Sequence, residues 1–217
     1  MHFIEAFQAG GAMMYAILLL GISAIAISVE RASVLYFRNN LNKEHFYKNL
    51  TAHLLNGDLE GMVQLCDQNP APLSRVVKNC MIRLINQGTD DDIQAALDEG
   101  AITEVPKVEK RIGFLAVIGN VATLVGLLGT ITGLIRSFAA VADADAAAKA
   151  AGLTKGISEA MNCTAFGLMV AVPSVVLYSI FQARAQTLIE DINEISIKTF
   201  NFICANRERF GVMEKSS

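Results

Sequence analysis

Two uncharged stretches of this chain carry polar side chains where a lipid-facing helix would carry none. Ile112–Ile135 holds Thr123, Thr130 and Thr132, and Ala160–Ala183 holds Asn162 and Thr164, with Glu159 at its head. Each stretch is 24 residues long, enough for roughly 36 Å of helix against a hydrocarbon core of roughly 30 Å. Hydroxyls, amides and carboxylates are tolerated at that depth where they face a protein interior or a water-filled path. Thr123 and Thr130 lie seven residues apart and share one side of a helix. A lone threonine can satisfy itself on its own i−4 carbonyl, so a hydroxylated stripe suits a hydrophilic lining about as well as plain packing. Glu159 likewise suits two roles: an acid favoured by a helix N-terminus and partly in water, or a working carboxylate beside a pore. The chemistry these groups can do is to pass an ion rather than to make or break bonds.

Three further features belong to the same hairpin. Gly126, Gly129 and Gly133 follow at offsets of three and four, a smooth helical face that lets a neighbouring helix approach closely. Asn162 lies one turn on from Glu159 and Thr164 adds a hydroxyl on an adjacent face, the three together a polar strip descending into the bilayer. Pro173 lacks a backbone donor and leaves the Met169 carbonyl without its usual partner, which bends a helix and opens a polar spot. A protonated acid can pass an apolar constriction, while its ionised form is held by donors in such a strip.

These groups need spans to hold them. A third uncharged stretch, Ala6–Val29, brings the count of spans to three in a chain of 217 residues, 53% of them hydrophobic. The reading is an all-α integral membrane protein with three transmembrane helices and long helical extensions. A signal peptide is a poor reading of the first stretch, because MHFIEAFQAGG has no Lys or Arg and the apolar run is too long. A retained anchor is expected. Basic residues flank the spans unevenly: Arg31, Arg38, Lys107, Lys110, Arg111 and Arg184 lie on one side, with Arg136, Lys149 and Lys155 in the short loop. The balance places the N-terminus outside and the C-terminus inside. The expected division is an outer segment at 1–11, spans at 12–30, 112–135 and 160–183, an inner helical domain at 31–111, a short outer loop and helix start at 136–159, and an inner tail at 184–217.

The inner segments read as amphipathic helices. Phe46, Leu50 and Leu54 form a stripe ended by Asn56-Gly57, and Asp58 can cap a helix whose Leu59, Met62, Val63 and Cys66 share a face. Asn69-Pro-Ala-Pro72 breaks it. Val76, Val77, Cys80, Met81, Leu84 and Ile85 then share one side, with Gly88 as a stop. Thr89 before Asp90-Asp91-Asp92 is a helix start, and the pattern runs on to Arg111 with a kink or break expected at Pro106. Leu188, Ile192, Ile195 and Phe202 extend the last helix inward. Such a remainder suits one modest helical domain rather than an enzyme domain. A net charge of −3, with no basic patch interleaved with aromatics, gives no footprint for nucleic acid. The four cysteines show no CxxC spacing, so reduced packing residues are expected, with no metal and no cofactor.

At the hairpin the chain resembles the ExbB/TolQ/MotA family of ion-driven motor subunits. Gly126-Leu-Leu-Gly129-Thr130-Ile-Thr-Gly133-Leu-Ile-Arg-Ser-Phe138 is similar to the family's GLLGTVxGMIxxF. Ile157-Ser-Glu159-Ala160, Thr164-Ala165-Phe-Gly167-Leu168, Val170-Ala-Val-Pro173 and Tyr178 are similar to ISEALxxTAxGLxVAIPAxxxY. Gly57-Asp-Leu-Glu-Gly61, Leu65-Cys66 and Pro72-Leu73 resemble its cytoplasmic helices. Three spans suit the ExbB/TolQ branch rather than the four-span flagellar subunits.

The resemblance implies an inner-membrane ring, a pentamer, around a dimer of a single-span ExbD/TolR-type partner whose Asp carries the proton. A TonB-like or other envelope effector would be the client. It also implies Thr130 and Thr164 as pore-lining hydroxyls and Glu159 as the pore carboxylate. The chain departs from the pattern at Thr123, where many members have proline, at Asn162-Cys163 in place of an apolar or small pair, and at Ser179 in place of Asn. Added oxygen ligands suit sodium as well as protons, which makes Thr123 and Asn162 ion-pathway candidates too. A structural scaffold for partner helices and an independent channel are the rival readings.

Overall fold

The computed structural model describes residues 11–38, 41–141 and 146–207. Expectations for residues 1–10, the Asn39-Asn40 boundary, positions 142–145 of the outer loop and the tail beyond 207 lie outside the described residues. The described chain is helical, with no strand among those residues: α1 Ala12–Ala32, a wider π-type turn Ser33–Arg38, α2 Lys43–Leu55, α3 Leu59–Asp67, α4 Pro72–Ile85, α5 Asp90–Glu109, α6 Ile112–Val141 and α7 Ala146–Ala205. Among the described residues three helical stretches are long and apolar enough to cross a membrane, and they hold α1, most of α6 and most of α7. The chain divides into two compact units.

The first unit takes in α1, α6 and α7 as far as Ile180. Its interior is small: Met14 and Ile17 of α1 bury against Cys163 of α7, with Met13, Val125, Phe166 and Val170 packed around them. Leu18, Leu19, Ile22 and Ile25 of α1 and Leu124, Leu128 and Ile131 of α6 point outward. In lipid that arrangement carries no penalty, because acyl chains are as apolar as leucine. At one end of the unit Glu30 accepts from Arg111 at 2.6 Å and from the buried Arg31 at 3.0 Å.

The second unit holds the π-type turn, α2–α5 and the rest of α7. Its core is the set of stripes legible in the sequence: Phe46, Leu50 and Leu54 of α2, Met62 and Cys66 of α3, and Val76, Val77, Cys80, Met81 and Leu84 of α4, joined by Ile192, Ile195 and Ile203 of α7. Ile85 is the exception to its stripe, 41% exposed at the last turn of α4. Burial pushes the thiols of Cys66 and Cys80 up to about 12, so both act as small hydrophobes. None of the four cysteines forms a disulfide.

Local chemistry sets the boundaries. Asp58 caps α3 through the Gly61 amide at 2.8 Å, and Pro72 opens α4 at its first position, where its missing donor costs nothing. The stop after α4 falls one residue earlier than Gly88. Gln87 takes the left-handed conformation, φ 58°, and the Gly88 amide closes on the Arg83 carbonyl at 3.0 Å. Thr89 and Asp92 form a reciprocal capping box on α5. Pro106 does not break α5, which continues to Glu109. The carbonyl it frees is that of Ile102, a residue 75% exposed, where water can satisfy it. The break falls instead at Lys110-Arg111, where Arg111 has φ 65°. Gly100 lets α5 lie against α4, since a Cβ there would be 3.1 Å from the Val76 Cα. Beside it Glu104, 5% exposed, accepts from Arg75 at 3.0 Å and Lys107 at 2.7 Å.

Two measurements follow for this unit. Thr89→Ala removes the cap and is expected to lower the unfolding free energy by about 1 kcal/mol, read by denaturant unfolding of the detergent-solubilised protein. The second concerns Glu194. Lys198 and Lys43 hold its carboxyl down to about 2, from an ordinary 4.5. A carboxylate whose pKa falls on folding adds stability above the unfolded value, and that gain fades as pH drops from 4.5 towards about 2. Glu194→Gln is therefore expected to lower Tm slightly near neutral pH and to match the parent at about pH 2; the pair is exposed, so the difference is small.

Candidate functional site: a glycine seam with a hydroxyl strip

The site is built on the approach of α6 to α7. Along α6, Gly119, Ala122, Gly126, Gly129 and Gly133 recur at offsets of three and four, and along α7 so do Gly156, Ala160, Cys163, Gly167 and Ala171. A Cβ at Gly126 would sit 3.2 Å from the Cys163 carbonyl oxygen and 3.3 Å from the Thr164 Cα. One at Gly167 would sit 2.8 Å from the Ala122 carbonyl oxygen, and one at Gly129 would sit 2.6 Å from the Cys163 Cβ. Gly133 lies likewise against Ala160. Further out, a side chain at Gly156 would fall on the buried Ser137 hydroxyl. The two backbones therefore touch over at least five turns, with no room for larger side chains.

That contact lets a hydroxyl on one helix reach the backbone of the other. Thr164 donates to the Gly126 carbonyl at 3.3 Å, on the turn between Thr123 and Thr130. Thr123 donates to Gly119 at 3.0 Å, Thr130 to Leu127 at 2.6 Å, and Thr132 to Leu128 at 3.0 Å. A carbonyl oxygen can only accept, so each hydroxyl spends its proton on the backbone and presents lone pairs. The donor strip expected for an ionised acid is thus an acceptor strip. It suits a cation or a protonated, hydrogen-donating carboxylic acid, and has no hydrogen to offer a carboxylate.

Glu159 and Asn162 belong to a different face. Glu159, Asn162, Phe166 and Val170 form one stripe at offsets of three and four, and its Phe166 and Val170 pack with the methionines of α1. Thr164 stands about 140° around the helix from Glu159. The separate face expected for Thr164 is the one that meets α6, where its hydroxyl bonds, while the stripe of Glu159, Asn162, Phe166 and Val170 meets α1 through its last two members. Arg136, at the far end of α6, brings its guanidinium to 3.8 Å from Glu159. Pro173 leaves α7 unbroken. It stands on the exposed side with Met169, about 180° from Thr164, and takes no part in the seam.

Sequence reasoning missed Gly119, Gly156 and Gly167 as seam members, although the same three-and-four spacing reaches Gly119 through Ala122 on α6 and links Gly156 to Gly167 through Ala160 and Cys163 on α7. It also missed Arg136 as a neighbour of Glu159. That contact depends on the crossing of two helices and leaves no mark in either helix alone.

Fold and site together define an all-helical, multi-span membrane protein whose closely packed α6–α7 pair carries acceptor oxygens through an apolar unit. A family profile described as the MotA/TolQ/ExbB proton channel family matches residues 68–194. A Synechocystis protein named putative biopolymer transport protein ExbB-like 3 is 30% identical over 179 residues, 81% of this chain and 83% of that protein. The Tol-Pal system protein TolQ of Pseudomonas aeruginosa is 34% identical over 144 residues, covering 61% of this chain and 62% of TolQ. The solved structure of C. jejuni MotAB aligns with 98% of this chain and 84% of the other, at a TM-score of 0.61 and 16% identity, a likeness of fold. The chain belongs to the MotA/TolQ/ExbB proton channel family, and its similarity to ExbB and TolQ proteins places it in that branch.

The seam yields a paired test. Gly167→Ala is expected to destabilise the detergent-solubilised protein by about 1–3 kcal/mol, because backbone atoms must move. Gly113→Ala, with nothing within 4 Å of the added carbon, is expected to leave thermal stability unchanged.

Proposed function

We propose that the chain is the ring-forming stator subunit of an ion-driven motor in a bacterial inner membrane, working with a single-span ExbD/TolR-type partner. In this reading it is not an enzyme. Five copies surround a dimer of the partner, the N-terminus lies in the periplasm and the C-terminus in the cytoplasm, and an envelope process of the TonB or Tol type is the client. Protons are the favoured ion. Family membership supports the reading. The single observation that carries it is the Thr164 hydroxyl bonded at Gly126 between Thr123 and Thr130, which lines up acceptor oxygens.

The physical sequence is short. The partner's acid, once protonated, is neutral and can move along an apolar helix face. The lone pairs of Thr130 and Thr164 receive its hydrogen, and Glu159, with Asn162 one turn on, provides the charged station nearer the periplasm. A potential of about 100 mV supplies roughly 2.3 kcal/mol per charge, a modest bias for one step. Repetition around a ring of identical subunits turns it into directed motion.

The scaffold reading has its own support, since every threonine hydroxyl named here is already satisfied by a carbonyl and glycines alone would hold the helices together. Proton uptake into proteoliposomes holding the chain with its partner separates the two. Thr130→Ala with Thr164→Val, and separately Glu159→Ala, are expected to leave membrane assembly intact and cut uptake at least tenfold. Undiminished uptake in both variants would leave the scaffold. Uptake by the chain without any partner would point to an independent channel.

A further inference from the structure

Arg136 occupies an unusual place for a basic residue. It follows the apolar run of α6 directly and is the first charged residue of that helix, 25 positions after Arg111. Its side chain is 69% exposed, yet its Nη1 lies 3.8 Å from the Oε1 of Glu159, whose own side chain is only 26% exposed. Close to that same oxygen stands Gly11, at the head of α1 with φ 69°. A Cβ at Gly11 would lie 2.6 Å from the Glu159 Oε1 and 3.8 Å from the Arg136 Nη1. The carboxylate thus has close neighbours from two other elements, the guanidinium of α6 and the backbone at the head of α1. One must be cationic and long enough to reach it. The other favours glycine for its left-handed backbone, and a Cβ there would push the flexible carboxylate tip aside.

We propose that Arg136 and Gly11 are positioning residues for the Glu159 carboxylate, holding it at the end of the seam where an ion entering the apolar unit would meet a fixed negative charge. The proposal rests on Glu159 being a station of the ion path. The ion pair between α6 and α7, with the head of α1 close by, holds the side chain in place. Pairing with Arg136 also offsets the charge of Glu159 while no ion is present, so that a resident cation or a donor from the partner must compete with the guanidinium for the same oxygen.

Chemical labelling of Glu159 with dicyclohexylcarbodiimide tests this directly and needs neither partner nor client. The carboxyl adds across the carbodiimide and rearranges to a stable N-acylurea, which is located on the Glu159 peptide by mass spectrometry. In membranes containing the full chain, Arg136→Gln is expected to raise the labelling rate at least threefold. Arg136→Lys, which restores a cation, is expected to return it most of the way. Gly11→Ala, which displaces the carboxylate while keeping Arg136, is also expected to change the rate, and Glu159→Gln serves as the blank. Labelling of Arg136→Gln at the parental rate would overturn the proposal, as would equal rates for the Gln and Lys variants. Because labelling reports only where the carboxyl is held, it can succeed even if Glu159→Ala conducts normally, and the two failures are told apart.

Discussion

The close approach of the α6 and α7 backbones is the contact on which the first unit depends. In lipid there is no hydrophobic gain from bringing two apolar helices together, so association relies on van der Waals contact and hydrogen bonds between them. A ridge of leucines would hold the axes apart. Gly126 against Cys163 and Thr164, and Gly167 against Ala122, remove that spacing altogether. Only then can the hydroxyl of Thr164 reach a carbonyl across the interface. The seam and the polar strip are therefore one feature: the small residues set the distance, and the distance gives the hydroxyl its partner.

The direction of that hydrogen bond carries a functional consequence. Had the threonine protons been free, the strip would have offered donors and favoured an ionised acid. With Thr123, Thr130, Thr132 and Thr164 all turned to carbonyls, the strip offers acceptors and favours species that bring a proton or a positive charge. Fixed charge is kept elsewhere. Glu159 and Arg136 sit at one end of the unit and Glu30, Arg31 and Arg111 at the other, leaving the intervening helix faces uncharged. The ion pairs can be wet at the ends of the spans, and the stretch between them stays apolar apart from hydroxyls and amides.

Much of this was legible in the residues themselves. The stripes of α2, α3 and α4 and the Thr89 cap are local, governed by helical period and by side chains a few residues apart, so they survived into the structure almost residue for residue. Ile85 and Pro106 departed from expectation because the ends of helices and the exposure of one carbonyl are decided by neighbours that a local pattern does not contain. The candidate site divides in the same way. Gly126, Gly129 and Gly133 could be read as a smooth face from spacing alone, and the five-residue spacing already sets Thr164 on another face from Glu159, but which helix lies against each face of α7 is fixed only by the packing. The contact of Arg136 with Glu159 had no local signal at all.

The claim at the centre is that Thr130 and Thr164 face an ion path rather than lipid, and cysteine accessibility tests it most directly. Cysteines placed singly at 130 and 164, in a background with the native thiols replaced by alanine, would be treated in membranes with a small charged methanethiosulfonate reagent. Positions 128 and 169, exposed on the apolar faces of α6 and α7, serve as the lipid-facing controls. Reaction at 130 and 164 with silence at 128 and 169 is the expected result. Silence at all four positions would contradict the claim and leave the hydroxyls as packing alone.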